Sequence, residues 1–583
     1  MADTAYTIVE DRGSLDHALA ELANQPVAGL DTETTSLDPF AGRIRLIQIS
    51  SPVNTFVIDT FKVDPFESPA FGRLLSSPSP VKVLHNAKFD AKMLLHHFGV
   101  ELRGLFDTFL ASKLVAAGRG DTRHGLSDVS ERYLGKAINK SLQSSPWDGQ
   151  LSSSQYEYAA ADAAVLLPLH GKLSDQIQQM KLAEVAGLEF DCVLPLAAME
   201  LAGMAIDVDC WNRLAADVEH AHAILSSDLR RELAPGIEQP TLFGEPDINL
   251  DSPAQIVETL ARMGIKVEGT RSSQLQPLAK EYPVVQKLLE YRGVQKALSS
   301  YGYSMLDHVN PMTGRLHASF HQIGATGGRM SCSDPNLQQI PNSPEYRSCF
   351  RPPAGHKLVV ADYSQIELRI LADWSQDTAL VKALASGEDL HSATASQMLG
   401  VPLGDVSKAQ RAVAKQLNYG LIYGLGPHGL AARIDSTVEE AEDLIRKYFD
   451  TYRGVAEWLR EAADHAVRER QCRTRSGRLI LIDFDPSDRA ERAAVERLGK
   501  NSPIQGSSAD ITKRALALLY PALKPLDCAI VNCIHDEIVV EVSQEQAQEC
   551  RSTVEHQMIA AAHHFIRSVP VTVDAVISDA WLK

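Results

Sequence analysis

A chain of 583 residues and 63.7 kDa has room for roughly three or four ordinary domains, and its 44% apolar and 22% charged residues are those of a soluble globular protein. Its formal charge of −17, from 57 cations and 74 acids, argues against indiscriminate binding to polyanions, although a basic channel can be cut into an acidic body. Scattered cysteines with no C-x-x-C pair, an N-terminus without leader character and the lack of a membrane-length apolar run lead to the expectation of a cytoplasmic protein with reduced thiols and no membrane partner.

The first strong signal is GLDTETTSLD (29–38). Asp31 and Glu33 are two apart, so on a strand their carboxylates leave the same face, which suits a hard divalent cation. VKVLHNAKFDAKML (81–94) reads as a short apolar strand running into a helix. Asp90 lies near that helix start, where an acid favoured by the helix dipole is the plain alternative. QYEYAAADAAVLLPL (155–169) reads as one alanine-rich helix with Tyr158 and Asp162 on a shared face. Residues 181 to about 200 restart a helical pattern and mark a domain boundary. Helical signals continue to about 310, broken by the loop PGIEQPTLFGEPDINLDSP (235–253). TGRLHASFHQIGATGGRMSCSDPNLQQIP (313–341) is rich in turns, and its Arg329, Asn336, Gln338 and Gln339 would alone pass for a solvated loop.

KLVVADYSQIELRILADW (357–374) reads as a strand ending at Asp362, followed by a helix carrying Glu367. In QRAVAKQLNYGLIYG (410–424) the helical spacing lines up Arg411, Lys415, Tyr419 and Tyr423. Two cations followed by two aromatics cover a core poorly, but they suit a triphosphate and stacked bases. RERQCRTRSGR (468–478) sets five arginines against one acid and is equally a solvated face or a duplex contact. CAIVNCIHDEIVVEV (528–542) reads as two apolar strands joined at His535, Asp536 and Glu537. Two separate strands thus each deliver a carboxylate, as phosphoryl transfer requires when two cations must sit between a triphosphate and a 3′-hydroxyl.

The acids in the order Asp-x-Glu, Asp, Tyr-x-x-x-Asp resemble the three motifs of the proofreading 3′–5′ exonuclease family, with FDT (106–108) and HGLSDVSERYLG (124–135) at similar stretches. DYSQIELR, R-x-x-x-K-x-x-x-Y-G-x-x-Y-G and HDE resemble the polymerase motifs of family A DNA polymerases of the bacterial DNA polymerase I type. The resemblance covers essentially the whole chain. It implies an α/β multidomain fold, with an RNase H-like 3′–5′ exonuclease domain over 1–180 and a right-hand polymerase over 181–583. Within the latter the thumb is expected at about 190–310, the palm at about 311–377 and 495–583, and the fingers at about 378–494.

The resemblance also implies roles. Asp362 and Asp536, with the Tyr363 carbonyl, would hold two magnesium ions, with manganese as a substitute, and Glu537 would join the catalytic set. Arg411, Lys415 and His391 would hold the incoming triphosphate, Lys415 would protonate the leaving pyrophosphate, and Gln365 and Tyr419 would also touch the nucleotide. Tyr423 would stack by the templating base, and Glu367 would exclude a ribose 2′-hydroxyl. Arg329, Asn336, Gln338, Arg497, Asn501, Gln505 and His535 would contact primer–template DNA. In the exonuclease site Asp31, Glu33, Asp90 and Asp162 would hold two ions, Tyr158 would orient water, and Leu37 and Asn86 would touch the frayed 3′ end. The expected protein is a monomeric, template-directed, proofreading DNA polymerase acting on primer–template DNA and deoxynucleotides.

Three departures from the family stand out. No 5′ nuclease segment is present, so primer removal is expected to be absent. Tyr419 stands where bacterial relatives usually have phenylalanine, which leads to the expectation of weak discrimination against dideoxynucleotides. LILIDFDPSDRAERA (479–493) departs from the family pattern and puts local contacts of the fingers in doubt. Two other readings stay open: a stand-alone exonuclease, on RNA for instance, and a non-catalytic replication scaffold.

Overall fold

The apolar segments before residue 110 pair into one six-stranded sheet in the computed structural model, which describes residues 5–120, 122–237 and 248–583. The strands are β1 (Tyr6–Val9), β2 (Val27–Thr34), β3 (Ile44–Ser50), β4 (Thr55–Asp59), β5 (Val81–Leu84) and β6 (Leu105–Asp107). Their order is β1-β4-β3-β2-β5-β6, with an antiparallel β4-β3-β2 run continued by parallel β5 and β6. This is the RNase H-like arrangement that the resemblance implies, with β1 added parallel to β4 at the edge. A central strand is paired on both sides and covered on both faces, so β2 buries Ala28 and Leu30, and its acids come only near its end.

Gly29 is required by a close approach: a Cβ there would lie 2.4 Å from the carbonyl oxygen of Ala163. The Ser153–Ala164 helix therefore rests directly on β2 and brings Asp162 over Asp31. The expected single helix over 155–169 is two, Ser153–Ala164 and Leu166–Gln179, divided at Val165. Pro168 has no N–H to offer the carbonyl four residues back, which weakens the ladder there.

In the second half, the Val208–Leu233 and Pro283–Tyr301 helices pack together, with a separate small core of Leu229, Ile256, Leu260 and Leu288. Most of the predicted 235–253 loop, residues 238–247, lies outside the described residues. The centre is a four-stranded antiparallel sheet in the order Cys528–Ile534, Glu537–Ser543, His356–Tyr363, Val573–Ser578. Its valine- and isoleucine-rich strands are backed by the Arg489–Leu523 and Ala547–His563 helices, which anchor the largest core.

The two halves meet through charge as well as apolar contact. Glu200 accepts from Lys92 at 3.0 Å and pairs with Lys88, while Tyr520 donates to Glu101 at 2.9 Å. A hairpin of Gln471–Arg473 and Leu479–Leu481 reaches back to the first domain, where Leu479 enters its core and Leu481 N–H donates to the Ala117 carbonyl at 2.9 Å. The arginine run is thereby largely explained as structure. Arg478 is buried, 2.5 Å from Glu189 and 2.6 Å from Asp510; Arg475 pairs with Asp373 over the Trp374 ring; and Arg473 donates to the Gly477 and Met180 carbonyls.

Candidate active sites

Two cavities hold the predicted side chains. The first, about 560 Å³, opens at the C-terminal end of β2. Asp31 and Glu33 project from one face of that strand, Asp90 comes from the Ala87–Phe98 helix, and Asp162 from the helix laid over Gly29. Carboxylate oxygens of Asp31, Glu33 and Asp162 all lie within 4.8 Å of one another. Thr32 donates to Asp90 at 2.7 Å, and Asp162 Oδ1 is buried with no hydrogen-bond partner. Burial and mutual repulsion push these acids up: Asp31 well above the carboxylate range, Glu33 to about 9, and Asp90, chiefly by burial, to about 7. Burial raises Asp162 to about 6 despite the Tyr158 hydroxyl, which faces it and is itself raised. Crowded carboxylates with an orphaned oxygen fit a divalent cation, which would relieve both burdens. Leu37, 80% exposed, and Asn86 stand at the rim of the same cavity.

The second cavity, about 640 Å³, lies over the four-stranded sheet. Asp362 ends its strand, and Asp536 sits in the two-residue turn between Ile534 and Glu537, opposite it. Burial and then the Asp362 charge raise Asp536 to about 7, while Asp362 Oδ1 is buried without a hydrogen-bond partner. The residues therefore fit a divalent pair here too. A capping box, Ser407 with Gln410, starts the Lys408–Gly420 helix, which aims Arg411, Lys415 and Tyr419 into the cavity. Tyr423 lies beyond the helix end, in the following turn, yet lines the cavity and donates to Glu367. Arg329 donates to the same carboxylate at 3.2 Å. Arg411 forms a two-point pair with Asp389 at 2.9 and 2.7 Å, and His391, its ring held by Asn418 at 3.0 Å, lies close by. Tyr363, Gln365, Gln338, Gln505 and His535 complete the predicted residues that line it.

The family model for DNA polymerase family A matches residues 222–583, and that for the 3′-5′ exonuclease matches 6–178. This chain belongs to DNA polymerase family A. It is 32% identical to DNA polymerase I of Pseudomonas aeruginosa over 100% of this chain and 66% of that one. It is 31% identical to DNA polymerase I of Aquifex aeolicus over 99% of this chain and 100% of that one. The chain thus spans 66% of the length of the first relative and all of the second. Its fold matches the POL domain of Pol1 from M. smegmatis, solved in complex with DNA primer-template and dNTP, with TM-score 0.85 and 29% identity over 98% of this chain and 99% of that chain.

Not every predicted residue of this family A polymerase reaches a cavity. Glu537, next to Asp536 and paired across the ladder with Asp362, does not line the cavity. Its carboxylate is held by Trp581 Nε1 at 2.7 Å, Lys583 at 2.8 Å and Arg347 at 3.2 Å. Lys583 also donates to Asp362 Oδ2 at 2.7 Å, so one ammonium ties Glu537 to Asp362 beside it. Asn336 caps a short helical turn, and neither it nor Arg497 or Asn501 lines the nucleotide cavity. Conversely, sequence reasoning missed Asp574, which lines the cavity because its strand pairs Asp574 directly with Asp362. It also missed Ser508 and Thr512, which follow Gln505 along one face of the long helix.

Proposed function

We propose that this chain extends a primer 3′ end along a template with deoxynucleotides and excises mispaired 3′ nucleotides at a separate site, using magnesium, or manganese in its place, at both. The observation that carries this is the pairing, over one sheet, of Asp362 and Asp536 with the Arg411, Lys415 and Tyr419 stripe. When bound there, divalent cations would supply activation of the 3′-hydroxyl and neutralisation of the leaving pyrophosphate. Arg411 and His391 hold the triphosphate, and Lys415, one turn along from Arg411, gives a proton to the pyrophosphate. Glu367, fixed by Tyr423 and Arg329, stands where a 2′-hydroxyl would enter, so ribonucleotides are excluded. Arg329, Gln338, Gln505 and His535 grip the primer–template without reading sequence, since base pairing supplies specificity.

In the exonuclease cavity, Asp31, Glu33, Asp90 and Asp162 hold the cations and Tyr158 orients the attacking water. That both constellations are complete in one chain supports a monomer as the working unit. The test is a primer-extension gel with magnesium and all four deoxynucleotides, beside a lane with a mismatched 3′ end and no nucleotides. Extension in the first and shortening in the second are expected, and Asp31→Ala should abolish shortening while sparing extension. Shortening alone would leave a nuclease with an inert polymerase body.

A further inference from the structure

The loop between the Leu126–Leu134 and Ser153–Ala164 helices carries no sequence motif used above, yet it forms one wall of the exonuclease cavity through Lys140, Gln143 and Trp147. Trp147 is buried and sits 6.4 Å from the Tyr158 ring, so the loop is pinned where it adjoins the site. Lys140 is otherwise hard to explain. Lysines beside carboxylates usually pair with one, and the other two lysines of this cavity are engaged: Lys88 with Glu200, and Lys113 with the Ile323 carbonyl at 2.8 Å. Among the described residues Lys140 has no ion pair, although its ammonium is near enough to Asp162 to favour the ionised acid. Its Nζ lies 3.1 Å from where a Cβ on Gly125 would stand, at the cavity edge. The ammonium therefore stands at the edge of the cavity that the acids line, with the Asp128 carboxylate near the same point but not paired with it.

We propose that Lys140 is a substrate-binding residue of the exonuclease reaction, donating to a non-bridging oxygen of the scissile phosphodiester of a 3′-terminal strand. The inference rests on the exonuclease reading above. Attack of water on phosphorus and departure of the 3′-oxygen add charge to those non-bridging oxygens, so a cation fixed there acts more strongly in the transition state than on the bound strand. The flexible four-carbon stem suits a contact that must follow the phosphate through inversion.

The test uses the full-length protein with Lys140→Met and Lys140→Arg. Lys140→Met should lower the saturating rate of 3′ shortening about tenfold or more, and Lys140→Arg should recover most of it. Binding of a fluorescent single-stranded oligonucleotide in EDTA, followed by anisotropy, should show the slope of log affinity against log salt flattened by about 0.7 in Lys140→Met, the signature of one lost phosphate contact. Primer extension serves as the folding control and should be unchanged. A Lys140→Met enzyme within twofold of the parent in rate, with an unchanged salt slope, would overturn the proposal. So would a loss of rate that Lys140→Arg does not restore, which would mark a structural role. Asp31→Ala separates the two readings: if it leaves shortening intact, the exonuclease assignment itself fails.

Discussion

Tyr419 places a phenol in the nucleotide cavity with no hydrogen-bond partner of its own among the described residues, while burial and then the charges of Glu367, Asp536 and Asp362 push it up to about 12. At any working pH it is therefore a neutral donor, able to stand in for the 3′-hydroxyl that a dideoxynucleotide lacks. One hydrogen bond to a charged group contributes about 2 kcal/mol, or ~30-fold. Tyr419→Phe should thus gain discrimination of that order against dideoxynucleotides, read as the ratio of kcat/KM for the two nucleotide types; equal ratios in both enzymes would sink the idea. Residues such as Tyr419 and Asp31 were legible because local spacing alone brings them to a common face. Asp574 was not, because only the pairing of its strand with His356–Tyr363 sets it opposite Asp362. Glu537 adjoins Asp536 in sequence and pairs with Asp362, but Trp581, Lys583 and Arg347 hold its carboxylate outside the cavity, and local spacing shows none of those partners.

At the scale of elements, the exonuclease site depends on one contact between strand and helix. Gly29 lets the Ser153–Ala164 helix lie against β2, and that helix carries both Tyr158 and Asp162. Gly29→Ala would set a methyl 2.4 Å from a backbone oxygen, where no side chain can rotate away, so the helix itself must shift. A displacement near 1 Å costs on the order of a hundredfold in rate when catalytic groups must meet in register. Excision should fall by about that much, while primer extension, seated on the other sheet, stays within twofold; equal loss of both would mean that the change unfolds the protein. The periodicity of 155–169 revealed a helix but not its break at Val165, since a proline in a helical run reports only that the ladder weakens nearby. The hairpin at 471–481 was illegible for a different reason: its partners Met180 and Ala117 lie 293 and 364 residues earlier in the chain.

Across the whole molecule, a buried cluster of charges joins the halves where both cavities take support. Glu189, on the helix at the domain boundary, accepts from Arg478 at 2.5 Å, Lys513 at 2.5 Å and Gln322 at 2.8 Å, and Asp510 holds the other side of Arg478. Gln322 lines the exonuclease cavity, and the helix bearing Lys513 and Asp510 lines the polymerase cavity through Gln505 and Thr512. Burial alone would raise Glu189, but the Lys513 and Arg478 charges outweigh it and hold the carboxyl below its usual range. Among the described residues Lys513 pairs with Glu189 alone and shares it with the Arg478 guanidinium, so burial outweighs the Glu189 and Asp510 charges and holds its ammonium below the usual lysine value. The ionised glutamate is thus what keeps two interior cations compensated. Glu189→Gln removes that charge and should cost about 3–5 kcal/mol at neutral pH, because two cations then remain buried with one acid between them. A carboxyl depressed in the folded state stabilises above its unfolded value and loses that contribution as pH falls through the folded value. The gap in thermal midpoint between parent and Glu189→Gln should therefore be widest near pH 7 and close as the pH is lowered below the ordinary glutamate range. A gap independent of pH would assign the loss to packing instead. Since both cavities lean on the same cluster, excision and extension should fail together as the variant is warmed, unlike Gly29→Ala, in which only excision is lost.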